Sequence, residues 1–263
     1  MVYLTEFVYP YWCQVVNVRI EMLTSRIIPV SLPARILAPL WHGPLLAVCL
    51  FAVLTPLALL IDLPVAKFCL AGKIPGDLQR VLAWSEVMAH GLGIAIIAAT
   101  LCILDPLRRR SVPRMLAGAF GAGLLADMMK LMTARLRPRH LEFESGVFDT
   151  FSGWMPLVFP IEGHRPLDSR WLSFPSGHTA VAVAFAMMLS RIYPQGRWLF
   201  SLFALLATLQ RIEAGAHYVS DTLAGATIGA MLALLVTESR LLGAWFDRFE
   251  QAKEFDDSVS VLD

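Results

Sequence analysis

The stretch Phe174-Pro175-Ser176-Gly177-His178-Thr179 leads directly into an apolar run from Ala180 to Leu189. Proline, serine and glycine favour a turn, and the apolar run favours a helix that begins at that turn. The first backbone N–H groups of a helix have no partner within the helix and can bind an anion. The stretch therefore predicts an anion site beside His178, although Ser176 and Gly177 are also ordinary residues for a helix cap and a turn.

The composition indicates a membrane protein. Of the 263 residues, 57% are hydrophobic and only 16% are charged, against roughly a quarter charged in an average soluble protein. A net charge of +1 gives no electrostatic support for a nucleic-acid partner, and we expect none. The cysteines form no C-x-x-C pair, so we interpret them as small apolar residues and not as a disulfide framework or metal site.

Six apolar runs predict an all-α integral membrane bundle of six transmembrane helices. The runs cover about residues 44–63, 87–104, 112–132, 179–192, 198–209 and 218–236. Asp62 and Pro64 are predicted to end the first run. The fourth and fifth runs are short but can extend into flanking residues that neighbouring helices shield. Gly225 and Gly229 form a G-x-x-x-G in the sixth run, which predicts a packing seam between helices.

The whole chain, residues 1–263, is predicted to form a single membrane domain. Residues 1–40 mix aromatic and charged side chains, which favours an interfacial segment at the level of the lipid headgroups. Residues 44–236 would form the six-helix core, and residues 237–263 a cytoplasmic tail. A long outward loop, residues 133–175, would join spans three and four. Its aromatic and acidic residues favour either a lid over the site or an aromatic belt segment.

Arginines in the short links predict the orientation. The links after spans two and four carry Arg108, Arg109, Arg110, Arg114, Arg191 and Arg197. Both links fall on one side of the bundle together with both termini, and the bias of Lys and Arg toward the cytoplasm places that side inside the cell. The links after spans one, three and five then face the periplasm, the cell exterior or a lumen.

A second segment brings cations to the outward face. Lys130 and Arg137 are seven residues apart, two helical turns, so they share one face if the third helix continues to Pro138. Two cations at a helix end suit a phosphate or a lipid headgroup, but an isolated pair can equally be a snorkelling Lys and Arg at the membrane interface. Asp127 is predicted to position Lys130 through an ion pair, because an unpaired carboxylate in a membrane is costly.

A third segment runs from Arg211 to Asp221. If His217 and Asp221 are helical, their i, i+4 spacing lets the carboxylate accept the N–H of one imidazole nitrogen and leaves the other nitrogen free as a nucleophile or base. Taken alone, such a pair is more often structural. Glu86 and His90 repeat this spacing, and we predict a polar pair there and not a metal site. In the six-span topology all three segments lie at the outward ends of spans three to six.

Together, these segments resemble the type 2 phosphatidic acid phosphatase (PAP2) superfamily, whose pattern is K-x6-R-P, then P-S-G-H, then S-R-x5-H-x3-D. The chain has Lys130 with Arg137-Pro138, then Pro175-Ser176-Gly177-His178, then Arg211, His217 and Asp221 at the same spacings. Gln210 stands where the pattern has serine. We expect this substitution to adjust the phosphate pocket without loss of activity.

The resemblance implies phosphoryl transfer to a histidine, with no metal ion and no cofactor. It implies that His217, held by Asp221, attacks phosphorus, while His178 protonates the leaving oxygen and then activates water. The phosphate oxygens would be surrounded by Lys130, Arg137, Ser176, Gly177 and Arg211.

The predicted function is therefore a membrane phosphatase that hydrolyses a lipid-linked phosphate or pyrophosphate monoester at the outward face of a bacterial-type inner membrane. A phosphorylated lipid is favoured as substrate because its headgroup can reach the ends of membrane-spanning helices from the leaflet. One alternative is a phosphotransferase that passes the phosphoryl group to another lipid or sugar. A second is a membrane protein that binds phospholipid without catalysis. The sequence specifies neither the lipid nor the oligomeric state.

Overall fold

The computed structural model of this chain describes residues 42–141, 146–159 and 168–251. The predicted interfacial segment at residues 1–40 lies outside the described residues, as do the last residues of the predicted tail. The prediction for the outward loop can be followed only over residues 133–141, 146–159 and 168–175.

Each of the six predicted apolar runs lies on a helix. The helices are α1 (His42–Leu70), α2 (Gly76–Ser85), α3 (Gly91–Leu104), α4 (Val112–Lys130), α5 (Gly177–Ile192), α6 (Arg197–Glu213), α7 (Val219–Thr237) and α8 (Gly243–Gln251). Short 3₁₀ turns lie at Glu86–Met88, Arg109–Ser111, Pro138–His140, Phe148–Thr150, Ser169–Trp171 and Pro194–Gly196. Helices α2 and α8 were not predicted from the sequence, and α8 occupies the described part of the predicted tail.

The first helix is longer than predicted. Helix α1 continues through Asp62 and Pro64 to Leu70, so the prediction that these two residues end it is wrong. The Asp62 side chain is buried and paired with Arg135 within the bundle. Because this ion pair stabilises its charge, the helix can continue past Asp62. A proline within a membrane helix is tolerated where neighbouring groups satisfy the freed backbone carbonyl.

Among the described residues, two helices are long and apolar enough to cross a bilayer: Gly43–Leu70 within α1, and α7. The pair Gly76–Met88 and α3 passes the same test together but is bent by 61°. Helix α5 is a shorter apolar helix. The count of six membrane crossings therefore stays a prediction, although all six predicted runs are helical.

The all-α prediction is wrong in one respect. Strands β1 (Thr133–Arg135) and β2 (Phe151–Trp154) pair antiparallel within the outward link, with a bulge between Ala134 and Arg135. Because α4 ends at Lys130, the chain is already extended when it reaches Arg137. The prediction that Lys130 and Arg137 share one helix face is therefore wrong.

Helix α7 packs against the start of α5 at close range. A Cβ on Gly225 would lie 2.3 Å from the carbonyl oxygen of Ser176, and one on Gly229 would lie 2.4 Å from that of Ala180. Both distances are far inside van der Waals contact, so only glycine allows the two backbones to approach this closely. The predicted packing seam is confirmed, and it holds the residues before α7 beside the turn before α5.

Ion pairs gather the arginine-rich links at the opposite end of the bundle. Arg114 lies 2.6 Å from Asp247 on α8, and Arg191 lies 3.7 Å from the same carboxylate. Arg191 is in the last turn of α5, whereas His178 is in its first turn. The links after spans two and four therefore lie at one end of the bundle, as predicted, and the turn with the predicted anion site lies at the other.

Candidate active site

The three segments predicted from the sequence meet at one end of the bundle. Gly177 opens α5 directly beside the last residue of α4, since a Cβ on Gly177 would lie 3.1 Å from the Lys130 ammonium nitrogen. Arg211 from α6 and His178 from α5 both approach a single carboxylate, that of Glu86. Cations and a histidine from three separate segments of the chain thus surround one region, together with the carboxylate of Glu86.

Lys130 is held by its neighbour on the same helix. Its ammonium nitrogen lies 2.7 Å from Oδ1 of Asp127, and the lysine side chain is only 14% exposed. The predicted ion pair is confirmed. It holds the end of the long lysine side chain near Gly177.

His217 is buried, and its orientation is determined by a backbone group. The imidazole Nδ1 lies 2.7 Å from the carbonyl oxygen of Ser173. The Asp221 carboxylate lies farther away, with Oδ2 at 3.7 Å from Nδ1. A carbonyl oxygen can only accept, so Nδ1 carries the proton and donates it, which leaves Nε2 with its lone pair.

The prediction that Asp221 accepts the imidazole N–H is therefore wrong in detail. The reason is local structure, because α7 begins only at Val219, and His217 lies before its cap residue Tyr218. The helical i, i+4 geometry does not apply to a residue outside the helix. Asp221 contributes a nearby negative charge, while Ser173 supplies the hydrogen-bond acceptor.

Asp221 itself is completely buried, and both of its carboxylate oxygens accept hydrogen bonds. Its Oδ2 accepts the backbone N–H of Tyr218 at 2.9 Å and the hydroxyl of Ser173 at 2.6 Å. Its Oδ1 accepts a close hydrogen bond from Arg135. Ser173 thus contacts both the carboxylate and the imidazole, which links their positions.

Arg135 lies at the centre of a buried charge network that sequence reasoning missed. Besides Asp221, its guanidinium donates to Asp62 on α1 at 2.7 Å and to the hydroxyl of Ser220 at 2.7 Å. Asp62 accepts the backbone N–H of Ser220 at 2.9 Å. The guanidinium also lies 4.3 Å from the ring centre of Phe151 and 4.2 Å from that of Tyr218.

One sequence signal could have revealed this network. A charged aspartate within a membrane-spanning run raises the free energy of the folded protein unless it is paired. Asp62 therefore indicates a cationic partner, and the outward link contains several arginines. The position of Asp62 at the end of an apolar run predicts a helix end instead. The network connects α1 to the residues directly before and within the start of α7.

Arg211 is held from two sides by residues outside the predicted set. Its Nη2 lies 2.8 Å from Oε1 of Glu86, and its Nε donates a close hydrogen bond to Oε1 of Gln210. Gln210, the departure from the family pattern, therefore orients the neighbouring arginine through its amide oxygen.

Glu86 does not pair with His90, so that prediction is wrong. The chain breaks between α2 and α3 in this region, which removes the helical spacing, and His90 instead caps α3 by accepting the N–H of Leu92 at 3.4 Å. The carboxylate of Glu86 points toward the site, where Oε1 lies 3.7 Å from Nε2 of His178.

Arg137 reaches the same region from the extended link. Its Nη2 donates to the carbonyl oxygen of Leu172 at 3.3 Å, and its buried Nε has no hydrogen-bond partner among the described residues. Burial, with the nearby Arg139 and Arg211 cations, lowers the pKa of Arg137 from its ordinary range. An anion in this region would favour the charged guanidinium.

Ser176 acts as a helix cap in this structure. The residue is fully buried, and its hydroxyl oxygen accepts the N–H of Thr179 at 3.4 Å. The first backbone N–H groups of α5, including that of Gly177, are the other candidate anion donors at this position. The roles of Ser176 and Gly177 toward a phosphate stay predictions.

The protonation state of His217 follows from its surroundings. Burial lowers the pKa of its imidazole below the ordinary value, and the Asp221 charge offsets only part of that effect. The imidazole is therefore neutral at pH 7, which is the form a nucleophile requires. The arrangement can present a neutral nitrogen to an anion that several cations hold.

Comparison with known proteins identifies relatives. Residues 112–242 match the sequence model of the PAP2 superfamily. A lipid A 1-phosphatase of Rhizobium johnstonii is 36% identical over 114 residues, which cover 43% of this chain and 41% of that protein. The chain thus spans less than half the length of that relative.

Another relative is covered more fully. A decaprenylphosphoryl-5-phosphoribose phosphatase of Mycobacterium tuberculosis is 32% identical over 162 residues, which cover 62% of this chain and 80% of that protein. Among solved structures, the crystal structure of Aquifex aeolicus LpxE has a TM-score of 0.47 at 19% identity, over 66% of this chain and 92% of that chain.

Proposed function

Because this chain belongs to the PAP2 superfamily, we propose that it is an integral membrane phosphatase that hydrolyses a lipid-linked phosphate or pyrophosphate monoester through a phosphohistidine. The observation that carries the proposal is the hydrogen bond from His217 to the Ser173 carbonyl oxygen. It directs the proton to Nδ1 and leaves Nε2 as a nucleophile, in a region where cations from three segments converge.

The proposed reaction has two displacements. In the first, Nε2 of His217 forms a bond to phosphorus, the bond from phosphorus to the leaving oxygen breaks, and protonated His178 gives its proton to that oxygen. In the second, neutral His178 takes a proton from water, the water oxygen attacks phosphorus, and the bond to His217 breaks to release inorganic phosphate. His178 ends protonated and His217 neutral, as at the start.

The charge that develops on the phosphate oxygens would be stabilised by Lys130, Arg137 and Arg211. The Gly177 N–H and the positive end of the α5 dipole would add to them, and Ser176 would hold the turn or donate its hydroxyl hydrogen. In this mechanism the cations take the charge-stabilising role that a metal ion has in other phosphatases, so we propose that activity requires no added metal.

We further propose six membrane crossings in a bacterial-type inner membrane, with the site facing the periplasm or exterior. The arginine-rich links at the opposite end of α5 support that orientation. The names of the relatives, a lipid A phosphatase and a decaprenylphosphoryl-phosphoribose phosphatase, support a lipid-linked substrate. The site at a bundle end suits a headgroup that enters from the leaflet.

The test is phosphate release by the full chain in detergent micelles, with a chelator present. The panel is phosphatidate, phosphatidylglycerol phosphate, undecaprenyl pyrophosphate, lipid A and a sphingoid phosphate. His217→Ala and His178→Ala should each abolish release while the protein still inserts and folds, whereas His140→Ala, at an exposed histidine, should keep activity. Full activity in either site variant would rule the mechanism out.

Product analysis separates the alternatives. If a lipid or sugar acceptor receives the phosphoryl group and no inorganic phosphate forms, the protein is a phosphotransferase. If no member of the panel turns over and yet phospholipid binds, the protein is a binding protein without catalysis.

A further inference from the structure

Glu86 lies outside the matched family region, residues 112–242, and yet reaches the candidate active site. Its carboxylate oxygen Oε1 is 2.8 Å from Nη2 of Arg211 and 3.7 Å from Nε2 of His178. One carboxylate therefore contacts a predicted phosphate-binding residue on α6 and the predicted acid on α5.

The backbone around Glu86 is held in place by its neighbours. The 3₁₀ turn Glu86–Met88 joins α2 to α3, and the two helices meet there at an angle of 61°. Helix α3 approaches the turn so closely that a Cβ on Gly93 would lie 2.1 Å from the carbonyl oxygen of Val87. Met88 is buried in the core. The Glu86 side chain therefore projects from a well-supported turn.

The groups around His178 are mostly cationic or neutral. Burial, followed by the charges of Arg211 on α6, His217 before α7, Lys130 on α4 and His90 before α3, lowers the pKa of His178 to about 4. Asp127 on α4 also faces this region, but it is paired with Lys130 at 2.7 Å. Cations disfavour a second positive charge on an imidazole, whereas a carboxylate within about 4–6 Å favours it. Among the described residues, Glu86 is the carboxylate in contact with His178.

We propose that Glu86 is a positioning residue that orients Arg211 toward the phosphate and favours the protonated form of His178, which transfers its proton to the leaving oxygen. The inference rests on the proposed function, because it assigns a role within that reaction. A carboxylate beside a general acid serves the step that needs the protonated imidazole. The same carboxylate accepts an N–H of Arg211 at 2.8 Å, which fixes the direction of that guanidinium.

The test compares pH profiles of kcat/KM for the full chain and its variants, with the substrate that turns over fastest. The acid limb reports His217, which must be neutral, and the basic limb reports His178, which must be protonated. Glu86→Gln keeps an oxygen for Arg211 but removes the charge. Its basic limb should move to lower pH by about one unit, while its acid limb and its KM stay within about twofold.

Two further variants make the comparison specific. Glu86→Asp keeps the charge, so its basic limb should move less than that of Glu86→Gln, while its shorter side chain loosens Arg211 and raises KM. Asp77→Asn removes a charge from an exposed position on α2, where the carboxylate is 96% exposed. Both limbs of that control should match the unmodified chain.

A basic limb that stays at the same pH in Glu86→Gln would overturn the inference. An equal loss of kcat at every pH in both Glu86 variants would also overturn it, because a purely structural role predicts that result. If the unmodified chain releases no phosphate, the proposed function fails instead. NMR titration of the His178 ring in the unmodified chain and Glu86→Gln needs no turnover, so it decides the electrostatic effect in that case as well.

Discussion

The carbonyl oxygen of Ser173 lies 2.7 Å from Nδ1 of His217, closer than the Asp221 carboxylate at 3.7 Å. A backbone acceptor therefore selects the imidazole tautomer, and the carboxylate acts through its charge. Ser173 is itself fixed, because its hydroxyl donates to Asp221 at 2.6 Å and its N–H donates to the carbonyl oxygen of Arg135 at 3.2 Å. The orientation of His217 thus depends on the same residues that hold Asp221.

The titration of His217 is the first prediction. Since burial lowers its pKa, the imidazole should take up a proton only below pH 6.5 or so, the ordinary value for histidine. The neutral form then predominates from that pH upward, so the acid limb of kcat/KM should also lie below pH 6.5. Carbon-13 NMR of the histidine rings measures the titration, with the His217 signal assigned by its loss in His217→Ala.

The ordinary pKa of histidine provides the comparison. A His217 midpoint at or above about pH 6.5 would contradict the prediction. That result would mean that the Asp221 charge outweighs the effect of burial.

The second prediction concerns the buried network around Arg135. Arg135→Met would leave Asp62 and Asp221 buried without their cation, and removal of one partner of a buried ion pair costs about 3–5 kcal/mol. The variant should lose stability by about that amount in a denaturation experiment in detergent. Arg80→Met provides the control, because the Arg80–Asp77 pair is exposed and should contribute roughly 0–1 kcal/mol.

A double-mutant cycle tests whether the loss arises from the network. Arg135→Met should cost less in an Asp62→Asn background, because only the Asp221 carboxylate is then left without a counter-charge. Strictly additive losses would argue that the three residues stabilise the fold independently.

The third prediction assigns a role to Gln210. Its amide oxygen accepts the Nε–H of Arg211, so Gln210→Ala should free the guanidinium and raise KM by about tenfold, the effect of losing one hydrogen bond to a charged group. Steady-state kinetics at a fixed pH measure the change. Thr208→Ala, which removes only a hydrogen bond within α6, should leave KM unaltered.

Gln210→Ser, the residue of the family pattern, extends this test. If the serine hydroxyl accepts from Arg211 in place of the amide, KM should lie between those of the unmodified chain and Gln210→Ala. Equal KM values in all three proteins would show that residue 210 does not orient Arg211.

Much of the site could be predicted from the sequence. Successive helices run in opposite directions, so the spacing of the apolar runs places Lys130, His178 and Arg211 at the same end of the bundle. The structure brings their segments together there. The Asp127–Lys130 ion pair was also predictable, because residues three apart on a helix are neighbours. The packing seam at Gly225 and Gly229 was predictable too, because small residues at helical spacing within an apolar run let two helices approach closely.

Other predictions failed where a helix ended earlier or later than the pattern suggested. Lys130 and Arg137 do not share a face because α4 ends at Lys130. Glu86 and His90 do not pair because the chain turns between α2 and α3. Asp62 does not end α1, because a partner 73 residues away compensates its charge.

The sequence by itself determined that the six apolar runs form helices, which end of the bundle collects the arginine-rich links, and which residues match the family pattern, because those properties depend on composition and on spacings of a few residues. Only the tertiary structure decided that Ser173 accepts from His217 across 44 residues and that Glu86 contacts Arg211 across 125 residues. Such contacts depend on how closely two helices approach, and here a glycine at position 225 allows α7 to lie directly against the start of α5. The histidine that the pattern identified is therefore oriented by groups that the pattern does not contain.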